Sequence, residues 1–355
     1  MLNYRKPFGG TLVRRRHQQI VQRRERAGNG HAGMDNSQRA KMEETRHSFM
    51  IPLEDQLPAD PNRRSKIISL DEAGRIIASK RTLSLAGSHS ADGAMSLLRA
   101  AIRAGASGMT MIPPVTASIA ADLPIAAGML KKLYLSYVGF EYLGMAPAFR
   151  QAARDHTLEI VEADEPFIIL GTQAAAGGRP FAPVQYLYEA ISAKSLNPEL
   201  KKVVDPFSGR EVYAIPPLKS DVFIMHAQVA DAYGNAQCWG GTGQERDKAK
   251  AADIVIVQAD EIVGPDVITK DPVKTTIPGL WVDYVVHAPF GAHPTFSSGH
   301  YALDEDHLKL YLSMVGDGKG QQYVEEFILG LDHFEYLEKV GGLRKLTQLR
   351  RMLAV

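Results

Sequence analysis

Only one cysteine, Cys238, stands among 355 residues. A lone cysteine forms no internal disulfide and suits a reducing compartment, so a cytoplasmic protein is expected. No apolar run approaches the roughly 20 residues of a membrane span, and no charged segment leads into a short apolar signal core. Membrane insertion and export are therefore not expected. The chain also lacks Gly-Lys-Ser/Thr and a correctly spaced glycine triplet, which excludes the phosphate-loop and dinucleotide fingerprints. It has no His-Glu-x-x-His and no histidine pair four residues apart. His287, His293, His300 and His307 are scattered, so neither a metal site nor a permanently bound cofactor is expected.

What is present is ordinary for a globular protein: 45% hydrophobic and 23% charged residues, in a chain long enough for a large core. The net charge of +1 conceals an asymmetry. Residues 1–64 carry 13 Lys and Arg against 7 Asp and Glu, whereas the remainder carries 28 against 33. The body is thus mildly acidic and does not read as a nucleic-acid surface. The leader, with Arg14-Arg15-Arg16, Arg23-Arg24 and several glycines, has too few periodic apolar positions to offset its ordering entropy. It is expected to be a flexible tail or the product of an early start, with an anion-binding arm, a nucleic-acid tail or an organelle-targeting peptide as alternatives. Residues 49–57 (FMIPLEDQL) are more apolar and suited to packing on the body or on a partner.

From residue 65 the pattern alternates helix and strand. Helices are expected at 65–79, 93–104, 117–127, 147–155 and 167–176. Strands are expected at 81–86, 108–112, 132–137, 158–162, 222–226, 254–258 and 282–287. Short, β-branched strands separated by helices predict an α/β fold: an open, mostly parallel sheet with helices on both faces. Residues 187–218, rich in proline, are expected to be a long surface excursion. The region from about 304 onward is expected to be helical.

Ligands of open parallel sheets bind beyond the carboxyl ends of the strands. That rule selects four clusters. Gly87-Ser88-His89-Ser90 follows the first strand; it could hold a carboxylate or phosphate, or be a polar turn with Ser90 or Asp92 as helix cap. Ser136 to Glu141 ends the third strand, with Glu141 as an acid/base candidate or an exposed loop glutamate. Glu162-Ala163-Asp164-Glu165-Pro166 crowds three carboxylates, which suits acid/base chemistry or helix capping. The glycine-rich run from Tyr233 to Gly243 could bring backbone close to a ligand, or hold a tight hairpin at Asp231 to Asn235. Nothing near Cys238 marks it as a nucleophile.

At these clusters the chain resembles the α subunits of the glutaconate-type CoA-transferases, within CoA-transferase family I, which implies the sheet fold of that family. The stretches that carry the likeness run in order. They include Ser136-Tyr137-Val138-Gly139-Phe140-Glu141, Gly144-Met145-Ala146-Pro147, Gly177-Gly178-Arg179-Pro180-Phe181, His226-Ala227-Gln228 and Ala288-Pro289-Phe290-Gly291-Ala292-His293-Pro294. The resemblance covers about residues 66–315. It implies that an acyl-CoA and a small carboxylic acid are the substrates, with coenzyme A entering as a thioester. It also implies a ping-pong reaction through a glutamyl thioester. In such enzymes the nucleophilic glutamate sits on a β-type subunit, in a Ser-Glu-x-Gly-like motif. Here the lone Glu-x-Gly is Glu72-Ala73-Gly74, inside an expected helix. A separate β-type subunit, giving a heterotetramer, is therefore expected.

One branch of the family resembles the transferases in fold but hydrolyses carbon–carbon bonds of cyclic CoA thioesters with a carboxylate of the α-type subunit. The likeness carries that role onto Glu165. The candidate site is thus Glu165 as acid/base, with Ser88, His89, Tyr137, Glu141 and Gln173 around the substrate. A non-enzymatic regulator with a basic DNA-binding arm is disfavoured, because residues 1–64 show no helix-turn-helix pattern.

Overall fold

A computed structural model describes residues 63–184 and 197–352. The expectations for the leader and for residues 49–57 lie outside the described residues. In the compact unit from Ala59 to Val355, eight strands make one sheet. Across it run β11 (Tyr284–His287), β10 (Ala252–Val263), β8 (Ser220–Asp231), β1 (Thr82–Leu85), β2 (Met109–Ile112), β3 (Leu130–Leu135) and β4 (Glu159–Glu162). The short β9 (Ala236–Gln237) folds back on β8 as the antiparallel member, and the remaining pairings are parallel. The hairpin joining β8 to β9 is the tight turn at Asp231 to Asn235, where the Asp231 carboxylate accepts the N–H of Tyr233 and Asn235.

Both faces of the sheet are covered, which is why its strands read as continuous apolar runs. On one face lie α1 (Leu70–Ala78), α2 (Met95–Arg103), α3 (Ile119–Ala126) and α4 (Pro147–Arg154), joined by the carboxyl-terminal helices. Those are α8 (Glu305–Gly316), α9 (Gly320–Phe327), α10 (His333–Lys339) and α11 (Gly342–Arg351). On the other face sit α5 (Glu165–Ala176) and α6 (Glu245–Ala251), over Phe223, Met225, Val255, Val257 and Val161. The short α7 (Pro265–Thr269) follows β10. Glu72-Ala73-Gly74 lies within α1, as its helical setting led one to expect. A Cβ on Gly74 would stand 2.6 Å from the Ala100 carbonyl oxygen of α2, so the glycine serves close helix packing.

Three expectations need correction. The first helix begins at Leu70, capped by Ser69, because residues 66–68 pair with the edge strand instead: Ile68 N donates to Val285 O and Val285 N to Lys66 O. Strands β8 and β10 run for 12 residues each rather than five, since their carboxyl halves alternate polar with apolar residues. The described part of the proline-rich stretch is an exposed excursion from the main sheet, but it is built of strands rather than loop. Lys201–Val204 (β6) and Glu211–Ile215 (β7) form an antiparallel sheet with Ala182–Val184 (β5), in the order β5-β7-β6. Its prolines mark strand boundaries: Pro206 sits in the turn between β6 and β7, and Pro216 ends β7.

Candidate active site

The strand order reverses between β8 and β1, because β1 has β2 on one side and β8 on the other. Such a switch point leaves a crevice at the carboxyl ends of the strands. A cleft of about 320 Å³ opens there, lined by Gly87, Ser88, His89, Asp92, His226 and Glu245, among others.

His89 and Glu141 meet at its rim, with His89 Nδ1 2.7 Å from Glu141 Oε1. Their side chains are 51% and 43% exposed. Each residue is held in the left-handed backbone region, at φ 50° and 53° respectively. A non-glycine residue there costs about 1–3 kcal/mol and persists only where its surroundings dictate it. For His89 they do: its N–H donates to Thr116 O at 3.0 Å and its carbonyl accepts from Ser118 Oγ at 2.8 Å. Ser88 Oγ lies 3.0 Å from Thr116 Oγ1, so Ser88 joins the same turn. Tyr137 is close by in the chain, its carbonyl bound by Ala117 N and its exposed ring against Gly139, where any side chain would collide with it.

Glu165 opens α5 beyond β4, the edge strand, and is exposed. Asp164 is the helix cap, accepting from Phe167 N at 2.9 Å. Gln173 lies eight residues further along α5, about 12 Å down the helix axis. The structure therefore gathers Ser88, His89, Tyr137 and Glu141 at adjoining strand ends. It sets Glu165 at the flank of that edge and Gln173 away from it. Cys238 donates weakly to His226 O at 3.6 Å. Burial, with the negative charges of Glu245 and Asp92 nearby, pushes its thiol well above the ordinary range, which argues against a thiolate nucleophile.

Beneath the rim lies a buried polar network that sequence reasoning did not assemble. His226 and Gln228 alternate on β8; Gln258 and Asp260 alternate beside them on β10. Gln258 Oε1 accepts from Ser96 Oγ and Leu97 N, which fixes the amide so that Nε2 donates to His226 Nδ1 at 3.0 Å. The His226 proton is thereby placed on Nε2, which faces Ser297 Oγ at 3.0 Å and Asp260 Oδ2 at 3.2 Å. Burial would raise the Asp260 carboxyl. His226 beside it, with hydrogen bonds from His226, His300 and Ser297, instead holds it well below the usual carboxylate range. Gln228 Oε1 accepts from Trp239 N, so its Nε2 donates to Asp92 Oδ1 and Ser297 Oγ. Asp92 also accepts from Ser298 N and Ser298 Oγ. The signal for this network is in the sequence, as His-x-Gln and Gln-x-Asp at period two, but ending both strands early hides it.

Among the described residues no cluster of three or more His, Cys, Asp and Glu side chains could hold a metal ion, and no helix is long and apolar enough to cross a membrane.

The family model described as coenzyme A transferase matches residues 67–288, from before β1 to the end of β11. An uncharacterized protein of Archaeoglobus fulgidus is 36% identical over 262 residues, covering 73% of this chain but 58% of the relative. The chain thus aligns with little more than half of that relative's length. A glutaconate CoA-transferase subunit of Acidaminococcus fermentans is 34% identical over 63% of this chain and 75% of its own. The crystal structure of glutaconate coenzyme A-transferase from that organism superposes with a TM-score of 0.75 at 29% identity, covering 81% of this chain and 96% of that one. The cholesterol ring-cleaving hydrolase IpdA subunit of Rhodococcus jostii is 28% identical over 76% of this chain and 94% of its own. A parallel sheet with its cleft at the switch point, and a family match running the length of that sheet, lead to one conclusion: the chain belongs to the coenzyme A transferase family.

Proposed function

We propose that the chain is the α-type subunit of a two-subunit, cytoplasmic CoA-transferase that moves CoA between small carboxylic acids. The observation that carries this is the state of the cleft's own carboxylates. Asp92 accepts three hydrogen bonds from Gln228 and Ser298, and Glu245 accepts from Gly243 N. Both Asp92 oxygens are thus engaged and Glu245 is buried, which disfavours either as the nucleophile. The nucleophile then comes from a β-type subunit closing over the rim. A glutamate oxygen of that partner attacks the acyl carbonyl, the carbon–sulfur bond breaks, and CoA leaves as thiolate. The thiolate next attacks the glutamyl carbonyl of the anhydride, releasing the first carboxylate and leaving a glutamyl-CoA thioester. In this reading His89, oriented by Glu141, and the Ser88 hydroxyl offer hydrogen bonds to the negative charge that builds on the reacting carbonyl oxygens. Tyr137 borders the acyl group.

The test is to incubate the assembled pair with an acyl-CoA and treat it with borohydride or hydroxylamine. Mass spectrometry should then find one modified glutamate on the partner. An unmodified partner in a pair that turns over would sink this reading.

A second reading has its own support. Glu165 is exposed at the flank of the same edge, in a chain similar to a ring-cleaving hydrolase subunit. There Glu165 would act as acid/base in carbon–carbon hydrolysis of a CoA thioester, and the partner would need no glutamate.

A further inference from the structure

The ladder between β1 and β2 is cut short by sequence. Thr110 N donates to Arg81 O at 2.7 Å. In a parallel pair this donor recurs at every second residue. With Thr82 paired to Thr110 and Ser84 to Ile112, residue 112 is due to serve Leu83 O and residue 114 to serve Leu85 O. Residue 114 is proline and has no N–H. Leu85 O thus loses its ladder donor where Leu85, Pro113 and Pro114 are all buried, and an unmet carbonyl there would be costly.

Lys248 meets that need from across the sheet. Its ammonium nitrogen, brought in by α6, donates to Leu85 O and to Pro113 O, each at 2.7 Å. The side chain is fully enclosed, at 2% exposure. The two carbonyls lie just before the turns that carry Ser88, His89 and Thr116, and those turns are bonded to each other. We propose that Lys248 is a positioning residue that replaces the missing Pro114 N–H and clamps the β1 and β2 exits so that His89 meets Glu141. The role rests on reading the cleft as the site of CoA transfer. Burial pulls the lysine down to about 7 against the raising influence of Glu245. The clamp does not depend on the charge, since a neutral amine still has two N–H donors for two carbonyls.

The test compares Lys248→Met, Pro114→Ala/Lys248→Met and wild type, each as the full chain and as the pair with its β-type subunit. Lys248→Met should speed amide exchange in residues 86–92 and 113–118 and lower kcat about ten-fold, as expected for one or two lost buried hydrogen bonds, with KM little changed. Pro114→Ala restores the backbone donor, so the double variant should regain slow exchange and most of the lost kcat. Filling the space alone would give no such rescue. If Lys248→Met does not fold, recovery of folded protein in the double variant is the supporting result. Unchanged exchange in Lys248→Met, or a defect that Pro114→Ala leaves untouched, would overturn the proposal. Should the wild-type pair transfer no CoA, the exchange comparison still decides the clamp, and the transferase reading fails separately.

Discussion

His89 and Glu141 leave the ends of two different strands, β1 and β3, and meet at 2.7 Å with both backbones in the left-handed region. A side-chain contact so exposed contributes little to stability, on the order of 0–1 kcal/mol. Its two strained residues cost more than that. The side-chain contact alone therefore does not offset the strain, and the bonds of the His89 backbone to Thr116 and Ser118 help to hold the turn.

Glycine relieves left-handed strain, so His89→Gly and Glu141→Gly should each stabilise the chain by about 0.5–1 kcal/mol while lowering turnover of the assembled pair at least ten-fold. Thermal unfolding and the transfer assay on the same samples check this. A loss of stability with unchanged turnover would show that the pair is structural.

Asp122 of α3 is buried and accepts the N–H of Ala148 and Phe149 at the start of α4 as well as the Tyr311 hydroxyl. Burial, against those hydrogen bonds, raises its carboxyl from 3.8 to about 6. A folded-state value above the unfolded one means that the folded form holds the proton more tightly. The associated stability is present below about 4 and lost as pH rises through about 6, to the extent of about 3 kcal/mol. Urea unfolding of Asp122→Asn should lack that decline. A decline identical to wild type would assign the dependence to other groups.

Gly240 faces the cleft wall, where a Cβ would overlap Ser298 Oγ and stand 2.8 Å from Asp92 Oδ2. Gly240→Ala should therefore break the Asp92–Ser298 contacts, costing about 1–3 kcal/mol in unfolding free energy and more than ten-fold in turnover. Wild-type values for both would remove this wall from the site.

Glu165→Gln separates the two functional readings. In a transferase whose nucleophile is the partner's glutamate, turnover of the assembled pair should stay within about three-fold of wild type. In a hydrolase using Glu165 it should fall by about 10²–10⁴. Steady-state rates with a panel of acyl-CoA thioesters give the answer.

Legibility follows period and proximity. The helix–strand alternation from residue 81 to 176 can be read because each element is short, apolar and bounded by glycine or a cap, as at Gly87, Gly105 and Asp164. His89 and Glu141 are selected singly, by their place after strands. Their contact is not visible in the chain, because 52 residues separate them and the pairing of strands 1, 2 and 3 brings them together. Asp260 escapes because a polar residue late in a strand looks like the strand's end. Lys248 escapes because a lysine in a helix reads as surface, and the proline that calls for it lies 134 residues away. The small sheet β5-β7-β6 is hidden by prolines that look like strand breakers but either bound the strands or, as Pro183 does, sit in the edge strand β5.

The pairing of residues 66–68 with β11 bears on how the chain can be shortened. An unpaired outer strand recruits neighbouring molecules, and these three residues occupy that margin of the sheet through the bonds between Lys66, Ile68 and Val285. Trimming at Met50 keeps the seal and should yield a well-behaved protein. A version starting at Ser69 exposes Tyr284 to His287 and should self-associate in light scattering. Residues 66–68, though they precede the first helix, are thereby needed to cover the margin of the sheet.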